Sequence, residues 1–153
     1  MDISDPIQPL TERQDDIRNK FLRLALRQID GNEYSEELLH RHVAVVVKGG
    51  NVLAIGRNRY KTHPATVSTG ANGNKFCRSI HAEMDAINRV KDKDKLQGAI
   101  IYVARKGRNE QPGMSCPCKM WQKAISEAGI KKAVFTAEYG TGTLDFRGIN
   151  DGQ

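Results

Sequence analysis

The spacing of apolar residues along the chain changes several times, and each change marks an element. Over residues 11–30, Ile17, Phe21, Leu22, Leu24, Ala25, Leu26 and Ile29 recur at helical spacing. This predicts an amphipathic helix opened by Thr11 as N-cap and closed by the turn chemistry of Asp30-Gly31-Asn32. From Arg41 the texture becomes β-branched. His42-Val43-Ala44-Val45-Val46-Val47 and Val52-Leu53-Ala54-Ile55-Gly56 flank Lys48-Gly49-Gly50-Asn51, the pattern of a β-hairpin. Residues 58–77 mix glycine, asparagine, threonine and proline without a period, so a long loop is expected there, of the kind that often carries function.

Residues 81–90, with Ala82, Met84, Ala86, Ile87 and Val90, suit a buried helix, and 99–104 form an apolar strand. A polar loop over 107–115 follows. Pro117 then fits helix position N1, with the helix over 118–128 and Gly129 as its cap. Residues 133–136 read as a strand, and from Tyr139 the tail is too glycine-rich to assign. The order helix, strand, strand, helix, strand, helix, strand implies an α/β fold. A mixed central sheet has helices on both faces, and the last two of these strands run parallel. One domain is expected over 1–153, with its core at about 11–137 and a tail over 138–153.

Composition narrows the class without changing that picture. Apolar residues make up 39% and charged residues 27%, as in ordinary soluble domains. No apolar run reaches the roughly 18–20 residues that span a bilayer, and the acidic, proline-bearing segment 1–11 is unlike a signal peptide. A soluble, cytoplasmic protein with no membrane partner is the expectation. Of the three cysteines, Cys116 and Cys118 are too close for an easy disulfide, which favours thiol or metal chemistry. The net charge of +6 suits an anionic partner, although the basic residues are spread rather than clustered.

The candidate chemistry lies at two expected helix starts. Hydrolytic removal of an amino group from a nucleobase needs a hydroxide at neutral pH and a carboxylate to carry its proton. A zinc ion lowers the pKa of bound water toward 7, and histidine and cysteine are ligands zinc prefers. His81 and Glu83 stand one residue apart where the first turn of a helix can aim both into one cavity. Cys118 stands at another helix start, where free N–H groups and the helix dipole favour a thiolate. Each piece alone is weak, and their order and separation by one strand strengthen the pair.

His81-Ala82-Glu83 followed by Pro117-Cys118-Lys119-Met120 resembles the zinc-dependent cytidine and deoxycytidylate deaminase superfamily, whose signature is His-x-Glu and then Pro-Cys-x-x-Cys. Gly56-Arg57-Asn58, Lys61-Thr62-His63-Pro64, Ser79 to Ile87 and Ala128 to Lys132 are similar to its deoxycytidylate branch, often phage or virus encoded. The likeness spans about 40–137. It implies the three-layer cytidine deaminase-like fold, His81 and Cys118 as Zn2+ ligands, and Glu83 as the catalytic proton shuttle. It also places Asn58 on the substrate sugar, Ala82 and His63 at the substrate, and the chain in a homo-oligomer. An exposed loop histidine is the competing reading of His63.

Trp121 departs from the pattern, since it stands where the family has the last cysteine and its indole N–H offers no lone pair to a metal. Cys116 could replace that ligand, zinc binding could be weakened or lost, or another residue such as Cys77, or another metal, could complete the site. Trp121 could also simply fill core space or stack on a base. The leading expectation is hydrolytic deamination of a cytosine nucleotide such as deoxycytidylate, impaired to the extent that Trp121 disables the metal. The competing readings are a catalytically silent nucleotide-binding protein and a deaminase of a purine or of a base in RNA or DNA. Nucleic acid ranks below a free nucleotide because there is no basic run and only nine aromatic residues.

Overall fold

The computed structural model describes residues 17–31, 40–60, 79–138 and 140–147. Its sheet grows from the expected hairpin. Strands β1 (Arg41–Lys48) and β2 (Asn51–Arg57) pair antiparallel around Gly49 and Gly50, whose φ angles of 57° and 80° belong to the left-handed region open to glycine. Past β2, Arg59–Tyr60 (β3) and Ser79–Ile80 (β4) pair as a separate two-stranded ribbon. This corrects the uninterrupted loop expected from residue 58; two-residue strands are too short to show a period.

Strand β5 (Ile100–Lys106) lies antiparallel along the other edge of β1, and β6 (Lys132–Thr136) runs parallel to β5, as the intervening helix requires. A further strand, β7 (Thr141–Asp145), pairs antiparallel with β6 and completes the order β2-β1-β5-β6-β7. It lies in the tail left unassigned. An edge strand that alternates between exposed and half-buried positions carries little apolar signal, yet Phe146 just beyond it is wholly buried.

Among the described residues, three α-helices cover the sheet. Helix α1 (Lys20–Asp30) starts later than expected, because the Asn19 side chain accepts from the N–H groups of Phe21 and Leu22 and so caps it, while Ile17 is buried ahead of the helix. Thr11, the expected cap, lies outside the described residues. Helix α2 (Ala82–Arg89) has His81 as N-cap, and α3 (Lys119–Glu127) has Cys118. Pro117 therefore precedes the N-cap instead of occupying N1. Gly129, at φ 102°, follows Ala128 past the end of α3.

Strand alternation sorts the core into two halves. Val43, Val45, Val47, Tyr102 and Ala104 face Leu22, Ala25, Leu26 and Ile29 of α1. Ala44, Val46, Ile101, Val103, Ala133 and Phe135 face Ala82, Ala86 and Ile87 of α2 and Ile125 of α3. The result is a three-layer α/β sandwich with α1 on one face and α2 and α3 on the other. Among the described residues no helix is long and apolar enough to cross a membrane.

Candidate active site

The site is set by how closely α2 can lie on the sheet. At Gly56 of β2 an added Cβ would stand 2.2 Å from the Ala86 N, 2.6 Å from the Ala82 O and 2.7 Å from the Ala86 Cα. Helix backbone thus rests directly on strand backbone, which only glycine permits. Asp85, 4% exposed, fixes the helix lengthwise. Its carboxylate accepts from the Arg57 N–H at 3.1 Å, the Arg59 Nη2 at 3.0 Å and the Arg89 Nε at 3.0 Å. These contacts set the first turn of α2, and with it the two residues expected to do chemistry.

His81, half-buried, stands at the N-cap, and burial lowers its pKa. Ala82 is 1% exposed and Glu83 5% exposed. Burial raises the Glu83 carboxyl above its ordinary range, opposed by a hydrogen bond from its own backbone N–H. A carboxyl raised in this way holds its proton more firmly than an exposed one, which suits a group that passes a proton on.

Across from α2, the first turn of α3 presents Trp121. Its ring centroid is 4.6 Å from that of His81, with the planes tilted by 42°, a favourable aromatic geometry. Trp121 and Cys116 also pack against the core cluster shared by α2, α3 and the sheet. Cys116 is half-buried, and burial and then the neighbouring Cys118 raise its thiol pKa, while Cys118 is exposed. The Cys116 Sγ donates to the Pro117 carbonyl at 3.6 Å.

This donor set does not fit a three-ligand zinc centre. Catalytic zinc needs three protein donors around one open position. Among the described residues no group of three histidine, cysteine, aspartate or glutamate side chains could hold a metal ion. The position one turn after Cys118 holds an indole packed on the imidazole of His81. His63 and Cys77 lie outside the described residues.

Asn58 sits at the end of β2, where its side chain donates to the His40 carbonyl and accepts from the His42 N–H, each at 2.8 Å. Its carboxamide thus ties β2 to the start of β1. His42 and Arg105 are register partners on β1 and β5, on the sheet face that carries α2 and α3. Burial, then Arg105, His40 and His81, lower the His42 pKa to about 3, so His42 is neutral at physiological pH. Gly56, Asp85 and His42 were not assigned roles from the sequence. A glycine inside a β-branched run and an acid inside an apolar helix were the available signals.

The sequence profile described as the cytidine and deoxycytidylate deaminase zinc-binding region matches residues 16–137. None of the curated proteins matches the chain. The dCMP deaminase of cyanophage S-TIM5, solved in complex with dCMP and dUMP, is 21% identical over 77% of this chain and 79% of its own, with a TM-score of 0.52. The cytidine deaminase of Burkholderia pseudomallei is 17% identical over 84% of this chain and 93% of its own, with a TM-score of 0.57. At such identities the likeness is one of fold, and it agrees with the layers described above.

Proposed function

The chain belongs to the cytidine and deoxycytidylate deaminase zinc-binding family, and on that premise we propose that it binds a cytosine nucleotide of the deoxycytidylate type. In this reading, hydrolytic deamination to the uracil nucleotide and ammonia is impaired by Trp121. One observation carries the second half: the Trp121 ring packs on His81 at 4.6 Å. An indole there adds a contact to the imidazole and supplies no lone pair to a metal.

The remaining groups still suit the reaction. Net hydrolysis adds water at the amino-bearing carbon and releases ammonia, so one group must move a proton from the water to the departing amine. Glu83, buried and with its carboxyl held above its ordinary range, is suited to that transfer. Asn58 and Ala82 are the described residues proposed to border the nucleotide, with His63 added from the loop. That the cyanophage enzyme was solved with dCMP and dUMP supports a nucleoside monophosphate as ligand.

Replacement of the missing ligand by Cys116 is the weaker reading, because that side chain packs against the core cluster with Trp121, its Sγ donating to the Pro117 carbonyl. Metal analysis, dCMP binding and dCMP turnover are measured on the chain and on Trp121→Cys. The expected result is that both bind dCMP, while only the variant carries about one zinc per chain and releases ammonia. Stoichiometric zinc and equal turnover in the unchanged chain would refute the impairment. Absence of dCMP binding in both would refute the nucleotide reading.

A further inference from the structure

Between β5 and α3 the chain reads Met114-Ser115-Cys116-Pro117-Cys118, with a sulfur at every second position. Extended backbone sends alternate side chains to opposite sides, so this spacing gathers three sulfurs on one side wherever the segment is extended. The hydrogen bonds and the burial agree that it is. The Gly113 N–H donates to the Arg105 carbonyl at 3.0 Å and the Ser115 N–H to the Thr136 carbonyl at 2.9 Å. Further on, Cys118 has φ −67° and ψ 165°. Ser115 and Pro117 are buried, whereas Met114 is 49% exposed, Cys116 half-buried and Cys118 exposed.

Ser115 fixes which side is which. Its hydroxyl donates to the Val103 carbonyl at 2.8 Å and accepts from the Thr136 N–H at 3.0 Å, so the segment cannot turn over to hide the sulfurs. Neither thiol is strongly engaged. The Cys116 Sγ reaches the Pro117 carbonyl only at 3.6 Å, and a thiol is a weak donor. Cys118 is the N-cap of α3, yet its side chain makes no capping hydrogen bond. The two sulfurs also sense one another, since burial and then Cys118 raise the Cys116 pKa. A cation between them relieves that repulsion.

We propose that Cys116 and Cys118, joined by the Met114 thioether, bind one soft monovalent cation, Cu+. Alternate Cα atoms of an extended chain stand about 6.5 Å apart, wider than the roughly 5.5–6 Å usual for a disulfide. An ion with two metal–sulfur bonds of about 2.3 Å spans the wider gap without bending the backbone. Zinc favours four donors, nitrogen among them, while thiolate and thioether together select Cu+. Binding releases both thiol protons and leaves one negative charge, which the N-terminus of α3 favours. No movement of Cys116 toward His81 is required, and nucleotide binding plays no part in this assignment.

The test is titration of the full chain, reduced and free of oxygen and nucleotide, with Cu+ in competition with the chelator bicinchoninate. Ag+, which has the same preference for sulfur, is titrated in parallel and followed by native mass spectrometry. One ion per chain is expected in both. Cys116→Ser and Cys118→Ser should each weaken Cu+ binding by more than about a hundredfold, and Met114→Leu by about tenfold. Met114 is exposed, so Met114→Leu should melt where the parent does, which separates loss of a ligand from misfolding. Cys77→Ser should bind Cu+ as the parent does. Failure to take Cu+ from the chelator would overturn the proposal, as would its displacement by Zn2+ in roughly tenfold excess. So would unchanged affinity in any of the three ligand variants, or loss of binding in Cys77→Ser.

Discussion

Substituting Gly56 by alanine tests whether the close approach of α2 to β2 sets the site. Gly56 is not among the glycines with positive φ, so its backbone conformation suits alanine. In open space the change would stabilise the chain by about 0.4–1 kcal/mol through the unfolded state. Instead the new Cβ meets the Ala86 N at 2.2 Å and the Ala82 O at 2.6 Å, where ordinary contact is about 3.5–4.0 Å. Both are backbone atoms of α2 and cannot swing aside as a side chain would, so the helix must lift by roughly 1 Å or more. Overpacking of this kind costs about 1–3 kcal/mol, and lifting α2 also loosens Ala82, Ala86 and Ile87 in the core. A net loss of about 3 kcal/mol is expected. For a domain of this size that lowers Tm by about 6–12 °C, readable by calorimetry or by urea unfolding. The sign is decisive, because a Gly56→Ala chain as stable as the parent, or more so, would refute the direct backbone contact.

Asp85→Asn should cost about 2 kcal/mol in urea unfolding, since it weakens three hydrogen bonds to a carboxylate whose side chain is only 5% exposed. Arg59→Ala and Arg89→Ala should each cost less than about 1 kcal/mol, because those side chains are 49% and 54% exposed. Acid should destabilise the fold through His42. The folded chain holds that histidine at about 3 against an ordinary 6.5, so the unfolded chain takes up the proton first. The stabilisation is complete above the ordinary value and is lost as pH falls toward the folded one. At about 1.4 kcal/mol per unit, roughly 2 kcal/mol is gone by about pH 5. His40 and His81 are lowered as well and act in the same direction. Comparing urea midpoints at about pH 7.5 and about pH 5 measures the loss, and His42→Gln should flatten it. An unchanged pH slope in that variant would count against His42 as the source.

The sequence by itself determined the layers and most of the elements, because both rest on local chemistry. Glycines at 49 and 50 dictated the hairpin turn, alternation in β1 committed its two faces, and a helix between β5 and β6 required them to run parallel. His-x-Glu and Pro-Cys fell where the helices begin, and Trp121 was legible as a departure from the family pattern. Boundaries were read less well. Asn19 caps α1 through two local hydrogen bonds, at 3.0 and 3.1 Å, and β7 is an edge strand whose alternation spans only exposed and half-buried positions.

Only the tertiary structure decided what surrounds these residues. That Trp121 packs on His81, that Gly56 carries the backbone of α2, and that Asp85 gathers three donors all depend on contacts between segments far apart in the chain. Residue type sets what a group can donate, accept or bury, while its partner is chosen by packing in three dimensions, which periodicity along the chain does not encode.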